Sequence, residues 1–204
     1  MSSGQVLEKL PDLPVSEMGA RLRLRLDSWL GSAAAPLEID FGCHRGAFLI
    51  GMAGLHPGAN FLGIEKQLDR VERCNARAAR LGLANACAIP GIGVESLEPL
   101  PAACVSIFHL SFPDPWPKRR HASRRVFQKS FLAEIRRILR PDGVLRLMTD
   151  DEPYFREMLE LVSEGWREIP WDDGRETVPT AFELTFRKLG QSPFQAALRP
   201  EVAD

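Results

Sequence analysis

One carboxylate in this chain is set between two prolines: Asp114, in the run Ser111-Phe112-Pro113-Asp114-Pro115-Trp116-Pro117-Lys118. Each proline fixes its own φ at about −65° and pushes the residue before it out of the helical region. Asp114 is therefore held in extended backbone, directly after an apolar run over residues 105–110 that reads as a buried strand. Lys118, Arg119, Arg120, Arg124 and Arg125 follow within eight residues, with His121 among them. A fixed carboxylate at a strand end can neutralise or orient a cationic or donor-bearing reactant, and a dense cationic run can hold phosphates. A rigid turn would explain the prolines alone, and a solvated face the cations alone. In this order and this close together, they point to a functional site.

A second constellation lies upstream, in Leu37-Glu38-Ile39-Asp40-Phe41-Gly42-Cys43-His44-Arg45-Gly46. It reads as a strand, a glycine-bearing turn and a helix start. In an open α/β sheet, ligands sit at the carboxyl ends of the strands, where such a turn lets backbone approach them. Gly63-Ile64-Glu65 ends the next strand with an acidic residue about 20 residues further on, within reach of ribose hydroxyls in dinucleotide-type folds. Asp40 and Glu65 are also compatible with ordinary strand-end carboxylates. The turn is not G-x-G-x-x-G, so a dinucleotide is not its natural ligand, and no G-K-[ST] sequence supports a nucleoside triphosphate.

The elements that must position these residues alternate along the chain. Strands are predicted over residues 37–41, 61–64, 86–89, 105–110 and 144–148. Helices are predicted over 47–55, 68–81 (carrying Arg70, Arg73, Arg77 and Arg80), 127–139 and 154–162. Residues 181–189 alternate Phe182, Leu184 and Phe186 on one face and read as a final strand. Residues 21–26 alternate with period two as a half-buried strand would, but Leu22, Leu26 and Leu30 also line one helical face, and a helix over residues 18–30 is the favoured reading, preceded by a polar arm over 1–14. Arg136, Arg137 and Arg140 could extend the basic surface, but read first as a solvated helix face with charges favourable to the C-terminal dipole. Alternating strands and helices predict an α/β fold with a mainly parallel sheet covered on both faces. The expected organisation is one domain over residues 1–204: arm, helix and linker over 1–35, catalytic core over 36–190, and a tail over 191–204.

Composition narrows the class. The chain has 204 residues, 45% of them hydrophobic, which suits a globular domain with a substantial core. Its net charge of −1 argues against coating nucleic acid nonspecifically, but not against one local basic footprint. Cys43, Cys74, Cys87 and Cys104 are widely spaced with no C-x-x-C pair, and the histidines form no ligand pair, so no metal is expected. No stretch reaches the length of a membrane helix and no signal sequence is seen, so a cytoplasmic protein without a membrane partner is expected.

Asp40-Phe41-Gly42-Cys43-His44-Arg45-Gly46 resembles the first motif, acidic-x-G-x-G-x-G, of Rossmann-like S-adenosylmethionine methyltransferases. Added to it are Phe61 to Glu65, Phe112-Pro113-Asp114-Pro115-Trp116-Pro117-Lys118, Arg120-His121 through Arg124-Arg125, Thr149-Asp150 and Thr180-Ala181-Phe182-Glu183. With these the chain resembles the bacterial tRNA (guanine-N7-)-methyltransferases, in order, over about residues 37–190. The resemblance implies a Rossmann-like methyltransferase fold: a mainly parallel seven-stranded sheet, helices on both faces, and an antiparallel C-terminal strand. It implies S-adenosyl-L-methionine as cofactor, tRNA as partner, and a monomer or homodimer. Position by position, it makes Asp40 and Glu65 cofactor contacts, with Gly42 and Gly46 shaping the turn. Asp114 becomes the active-site carboxylate. Lys118, Asp150, Thr180, Phe182 and Glu183 bind the substrate nucleoside, and Arg119, Arg120, His121, Arg124 and Arg125 form an RNA-binding loop.

Two positions depart from the family's pattern. His44 stands where the motif has its middle glycine. Ile92 stands at the cofactor-binding position where an acidic residue meets the adenine amino group, so a hydrogen bond worth about 0.5–1.5 kcal/mol is missing. The N-terminal region is also shorter than the family's usual one. These departures leave two other readings to distinguish: an RNA-binding relative with weak catalysis acting as a scaffold, and a same-fold methyltransferase acting on a small molecule. The chemistry implied is modest. Guanine N7 carries an in-plane lone pair and no proton, so methyl transfer needs alignment and negative charge near the nascent purine cation, not a general base. Asp114 and Asp150 suit that role, or that of accepting from guanine N1–H and the 2-amino group. Trp116 stacks on a base or ribose, or lids the core. Residues 171–174 read as a turn with no assigned role.

Overall fold

Leu37–Phe41 is strand β1, and all five of its residues are buried, as expected for a central strand of a parallel sheet covered on both faces. The computed structural model describes Trp29 and residues 35–201. The expected N-terminal arm, and the helix over 18–30 except Trp29, lie outside the described residues. From β1 the chain runs through α1 (Ala47–Leu55), β2 (Asn60–Glu65), α2 (Leu68–Arg80), β3 (Ala86–Pro90) and β4 (Val105–Ser111). It continues through α3 (Lys129–Ile138), β5 (Leu139–Thr149), α4 (Glu152–Leu161), β6 (Trp166–Ile169), α5 (Ala181–Lys188) and β7 (Phe194–Pro200). Two short 3-10 helices, Val94–Ser96 and Arg119–Arg124, lie in loops. No helix among the described residues is long and apolar enough to cross a membrane.

The sheet has seven strands in the order β3-β2-β1-β4-β5-β7-β6. Pairing is parallel from β3 to β5, and β7 pairs antiparallel with both β5 and β6. The direction of strand progression reverses between β1 and β4, which opens a crevice above their carboxyl ends. Alternation along β1 sends Leu37, Ile39 and Phe41 into the larger apolar layer, under α3 and α4. Phe41, Phe108 and Phe131 form an aromatic cluster there, with centroids 4.9–6.0 Å apart. The second layer holds Leu49, Ile50, Met52 and Ala53 of α1 with Val71, Cys74 and Ala78 of α2. Glu38 and Asp40 face that second side, and their burial needs a separate account.

Three readings are corrected. Residues 181–189 are not a strand but helix α5. Thr180 and Glu183 close a capping box: Thr180 Oγ1 accepts from the Glu183 N–H at 3.1 Å, and Glu183 Oε2 accepts from the Thr180 N–H at 3.3 Å. Phe182 and Phe186, read as alternating strand positions, are one helical turn apart on the same face. The antiparallel C-terminal strand is instead Phe194–Pro200, within the stretch read as a tail, and it is inserted between β5 and β6. β6 was missed because four residues, Trp-Arg-Glu-Ile, carry too little periodicity to register. Finally, Arg136 and Arg137 do not form a purely solvated face. Arg136 donates to the Gly165 and Glu201 carbonyls, and Arg137 to those of Leu97 and Leu100.

Candidate active site

At the carboxyl end of β1 the chain turns tightly. The Gly42 and Cys43 N–H groups both donate to the Ile64 carbonyl, at 2.8 and 3.2 Å, fastening the turn to β2. Gly42, at φ 83°, has open space where a Cβ would stand, so bare backbone faces the crevice. Gly46, at φ 70°, is required for a different reason: a Cβ there would overlap the Cys74 sulfur. His44 takes the middle position at φ 53°. Its backbone N–H donates to Glu65 Oε2 at 3.0 Å, while Gln67 N–H donates to Glu65 Oε1 at 3.0 Å. Glu65 thus ties the turn to the start of α2, and Arg70 lies 3.6 Å from it. Burial, then the nearby Arg70 charge, holds the His44 imidazole below its ordinary pKa.

Asp40 is 6% exposed, and burial, then the charge of Glu65, pushes its carboxyl up to about 7. Two carboxylates buried side by side form an anionic pocket that a cation would relieve. Ile92 follows β3 and is 68% exposed.

The Asp114 loop leaves β4 next to the end of β5. Phe112 N–H donates to the Met148 carbonyl at 2.7 Å, which sets Asp114 and the exposed Asp150 beyond neighbouring parallel strands. Asp114 points outward, and Lys66 Nζ lies 3.4 Å from its Oδ2. Because β1 separates β2 from β4, the Lys66 side chain spans the mouth of the crevice. Lys66 was missed from sequence; it directly follows Glu65 at the strand end, which was the available signal. Phe112 and Trp116 have φ of 52° and 42°. With His44 they make three of the four non-glycine residues at positive φ among those described, and all three lie in this site.

α5 forms a wall beside the loop. The Phe112 ring stacks on Phe182 at 5.5 Å and on Phe186 at 5.6 Å. Phe182 remains 56% exposed. Thr180 and Glu183 sit at the start of α5 in the capping box, and Glu183 also pairs with Arg187 at 2.6 Å. Of the expected substrate residues, Phe182 touches the Asp114 loop through Phe112, Thr180 and Glu183 begin the same helix, Asp150 follows the neighbouring strand β5, and Lys118 lies in the exposed continuation of the loop.

The basic segment divides into two parts. Lys118, whose carbonyl accepts from His121 N–H at 2.7 Å, and Arg120 are exposed. Arg124 lies over the Trp116 ring at 5.1 Å, and His121 meets the same ring edge-on at 5.8 Å. The Arg119 side chain lies outside the described residues. Arg125 departs from the expected phosphate contact: its guanidinium turns inward. It donates to the Pro115 carbonyl at 2.8 Å, pairs with Glu157 of α4 and covers the Tyr154 ring. Trp116 is correspondingly packed by the loop's own cations.

Residues 34–195 match the sequence model of a family described as putative methyltransferase. A tRNA (guanine-N(7)-)-methyltransferase of Serratia proteamaculans is 38% identical over 164 residues, covering 76% of this chain and 69% of that protein. One of Lactococcus lactis subsp. cremoris is 34% identical over 165 residues, covering 76% of each. Among solved structures, the aminoglycoside resistance methyltransferase NpmB1 is similar in fold, with a TM-score of 0.62 at 18% identity over 87% of this chain and 93% of that one. A SAM-dependent methyltransferase from Aquifex aeolicus gives a TM-score of 0.54 at 16% identity, over 92% of this chain and 98% of that one. The glycine turn, the paired buried carboxylates and the Asp114 loop thus fall within a region matched along its length, and the chain belongs to the tRNA (guanine-N(7)-)-methyltransferase family.

Proposed function

We propose that this protein transfers the methyl group of S-adenosylmethionine to N7 of a guanine in tRNA, in the variable loop by the family's habit. The observation that carries the reading is the crevice between β1 and β4, with buried Asp40 and Glu65 on one side and Asp114 on the other. The cofactor suits this place on chemical grounds. Its ammonium and sulfonium are cationic, and Asp40 lies beside Glu65 with its ionisation suppressed. Asp40, Glu65 and the turn at Gly42 and Gly46 would hold it, with Ile92 in the loop after β3; when bound, it supplies an electrophilic methyl group.

The chain's own residues have three tasks. Asp114 and Asp150 present negative charge beside the purine and accept from its N1–H and 2-amino group, which selects guanine over adenine. Phe182, stacked on Phe112 at 28° on the α5 wall, offers an exposed ring face for a base. Arg120, His121 and Arg124 contact phosphates, Arg119 extending the same segment, while Lys118 meets the nucleoside and Arg125 holds the loop's shape. Lys66 shields Asp114 until a nucleoside with its own donors takes over the carboxylate.

The test is to incubate the protein with labelled cofactor and unmodified tRNA, then digest the RNA to nucleosides. The label should appear in 7-methylguanosine. Label in another nucleoside, or on a non-RNA acceptor only, would overturn the reading.

A further inference from the structure

Residues 170–180 join β6 to α5 as an irregular strap. The strap crosses a sheet face lined by charged groups. Asp40, His109, Arg146 and Ala197 are successive register partners across β1, β4, β5 and β7. Glu38, His109 and Arg146 on this face are 2%, 4% and 6% exposed. α1 and α2 pack on the β1–β2–β3 half, and among the described residues the strap contacts the rest.

Glu38 is the hub. Its Oε2 accepts from His109 Nε2 at 3.0 Å, and its Oε1 pairs with Arg175 of the strap at 2.5 Å. Burial by itself would raise the Glu38 pKa, but His109 and then Arg175 outweigh it and hold the carboxyl below its ordinary range. Burial keeps His109 below its ordinary value despite Glu38, so a neutral imidazole donates and Arg175 carries the compensating charge. Further attachments run along the strap. Arg146 donates to Asp173 at 2.7 Å and lies 5.3 Å from the Trp171 ring centroid. His56 Nε2 lies 2.8 Å from the Glu176 carbonyl and 3.2 Å from Arg175 Nε. Val178 sits where a Cβ on Gly51 would come within 2.8 Å of its Cγ2, so that helical glycine makes room for the strap.

The strap then enters Thr180, the cap of α5, and α5 stacks on Phe112 two residues before Asp114. A buried ion pair contributes little net stability over apolar packing, but breaking it is costly because the charge left behind is buried without compensation. An irregular segment gains its placement from such partners.

We propose that Glu38 and Arg175 are positioning residues for methyl transfer: their pair fixes the strap and so sets Phe182 and Thr180 against the Asp114 loop. This inference rests on the reading that the α5 wall receives the target guanosine. The full-length wild type is compared with Arg175→Met, Glu38→Gln, the double variant and Arg175→Lys, by hydrogen exchange, by cofactor calorimetry, and by kinetics with tRNA at saturating cofactor. Exchange over residues 171–188 should rise about tenfold or more in Arg175→Met. The kcat/KM for tRNA should fall about tenfold or more, with cofactor Kd changed less than about twofold. The double variant should be no worse than the worse single, and Arg175→Lys should recover part of the loss. A folded Arg175→Met with unchanged exchange and kinetics overturns the proposal. So does looser exchange that stops short of α5, or an equal loss of cofactor affinity. Should Glu38→Gln fail to fold, the two Arg175 variants decide alone. If the wild type makes no 7-methylguanosine the functional reading fails, and the exchange data still decide whether the pair holds α5.

Discussion

Asp40 and Asp114 are both carboxylates at strand ends, yet their surroundings give them opposite tasks. Asp40 is buried beside Glu65 and is pushed up to about 7 by burial and then by that neighbour. Its folded value lies above its unfolded one, so the stability it contributes is complete at low pH and is lost as pH rises through about 7. A cationic cofactor favours the ionised form, so affinity for S-adenosylmethionine should rise with pH below 7, by up to about tenfold per pH unit, and level off above it. Asp40→Asn should flatten that dependence and unfold at a higher temperature than wild type in mildly basic buffer. Calorimetry across pH checks the first point, and a pH-independent wild-type affinity would contradict it. Asp114 is exposed and meets only Lys66 among the ion pairs here, which suits a carboxylate acting by charge on a substrate. Asp114→Asn keeps the shape, removes the charge, and places an amide donor opposite guanine's own donors. Turnover should drop by about 10²–10³, with tRNA affinity nearly intact because phosphates elsewhere dominate it. Near-normal turnover would reduce Asp114 to part of a rigid turn.

The loop after β4 shows how far element-level roles depend on contacts a sequence does not display. Lys118 through Arg125 look alike in charge, but Arg124 faces solvent over Trp116 while Arg125 bonds the Pro115 carbonyl and Glu157. Arg124→Gln should weaken tRNA binding and lower the slope of log affinity against log salt by about one, without changing the melting temperature. Arg125→Met should lower the melting temperature and turnover together. Thermal melts and salt titrations separate the two, and identical behaviour of both variants would refute the division. The helices and parallel strands between residues 37 and 149 were legible because their apolar periodicity and glycine stops were clear. α5 was misread because Phe182, Leu184 and Phe186 alternate as in a strand, although Thr180-x-x-Glu183 already spelled a capping box. The pairing of Lys66 with Asp114, and the bonds of Arg125, were illegible because they depend on strand order, which brings β2 and α4 beside the β4 loop.

At the scale of the whole molecule, the proposed function has the parallel half of the sheet build the cofactor pocket, and the antiparallel half return the chain to finish the substrate wall. The order β4-β5-β7-β6 makes this possible, because β6 lies at the sheet edge and the strap must recross the face to reach α5. No local pattern encodes that path; it follows from inserting Phe194–Pro200 between two earlier strands. The net charge of −1 fits a molecule that grips RNA at one place rather than everywhere. The central claim is that this assembly directs a methyl group to N7 of guanine. It is tested most directly with two tRNA transcripts, one containing guanosine and one containing 7-deazaguanosine, which keeps N1–H, the 2-amino group and every phosphate but has no N7 nucleophile. Labelled methyl should enter only the guanosine transcript and be recovered as 7-methylguanosine, while the 7-deaza transcript competes for binding and stays unlabelled. Equal labelling of both transcripts would contradict the account.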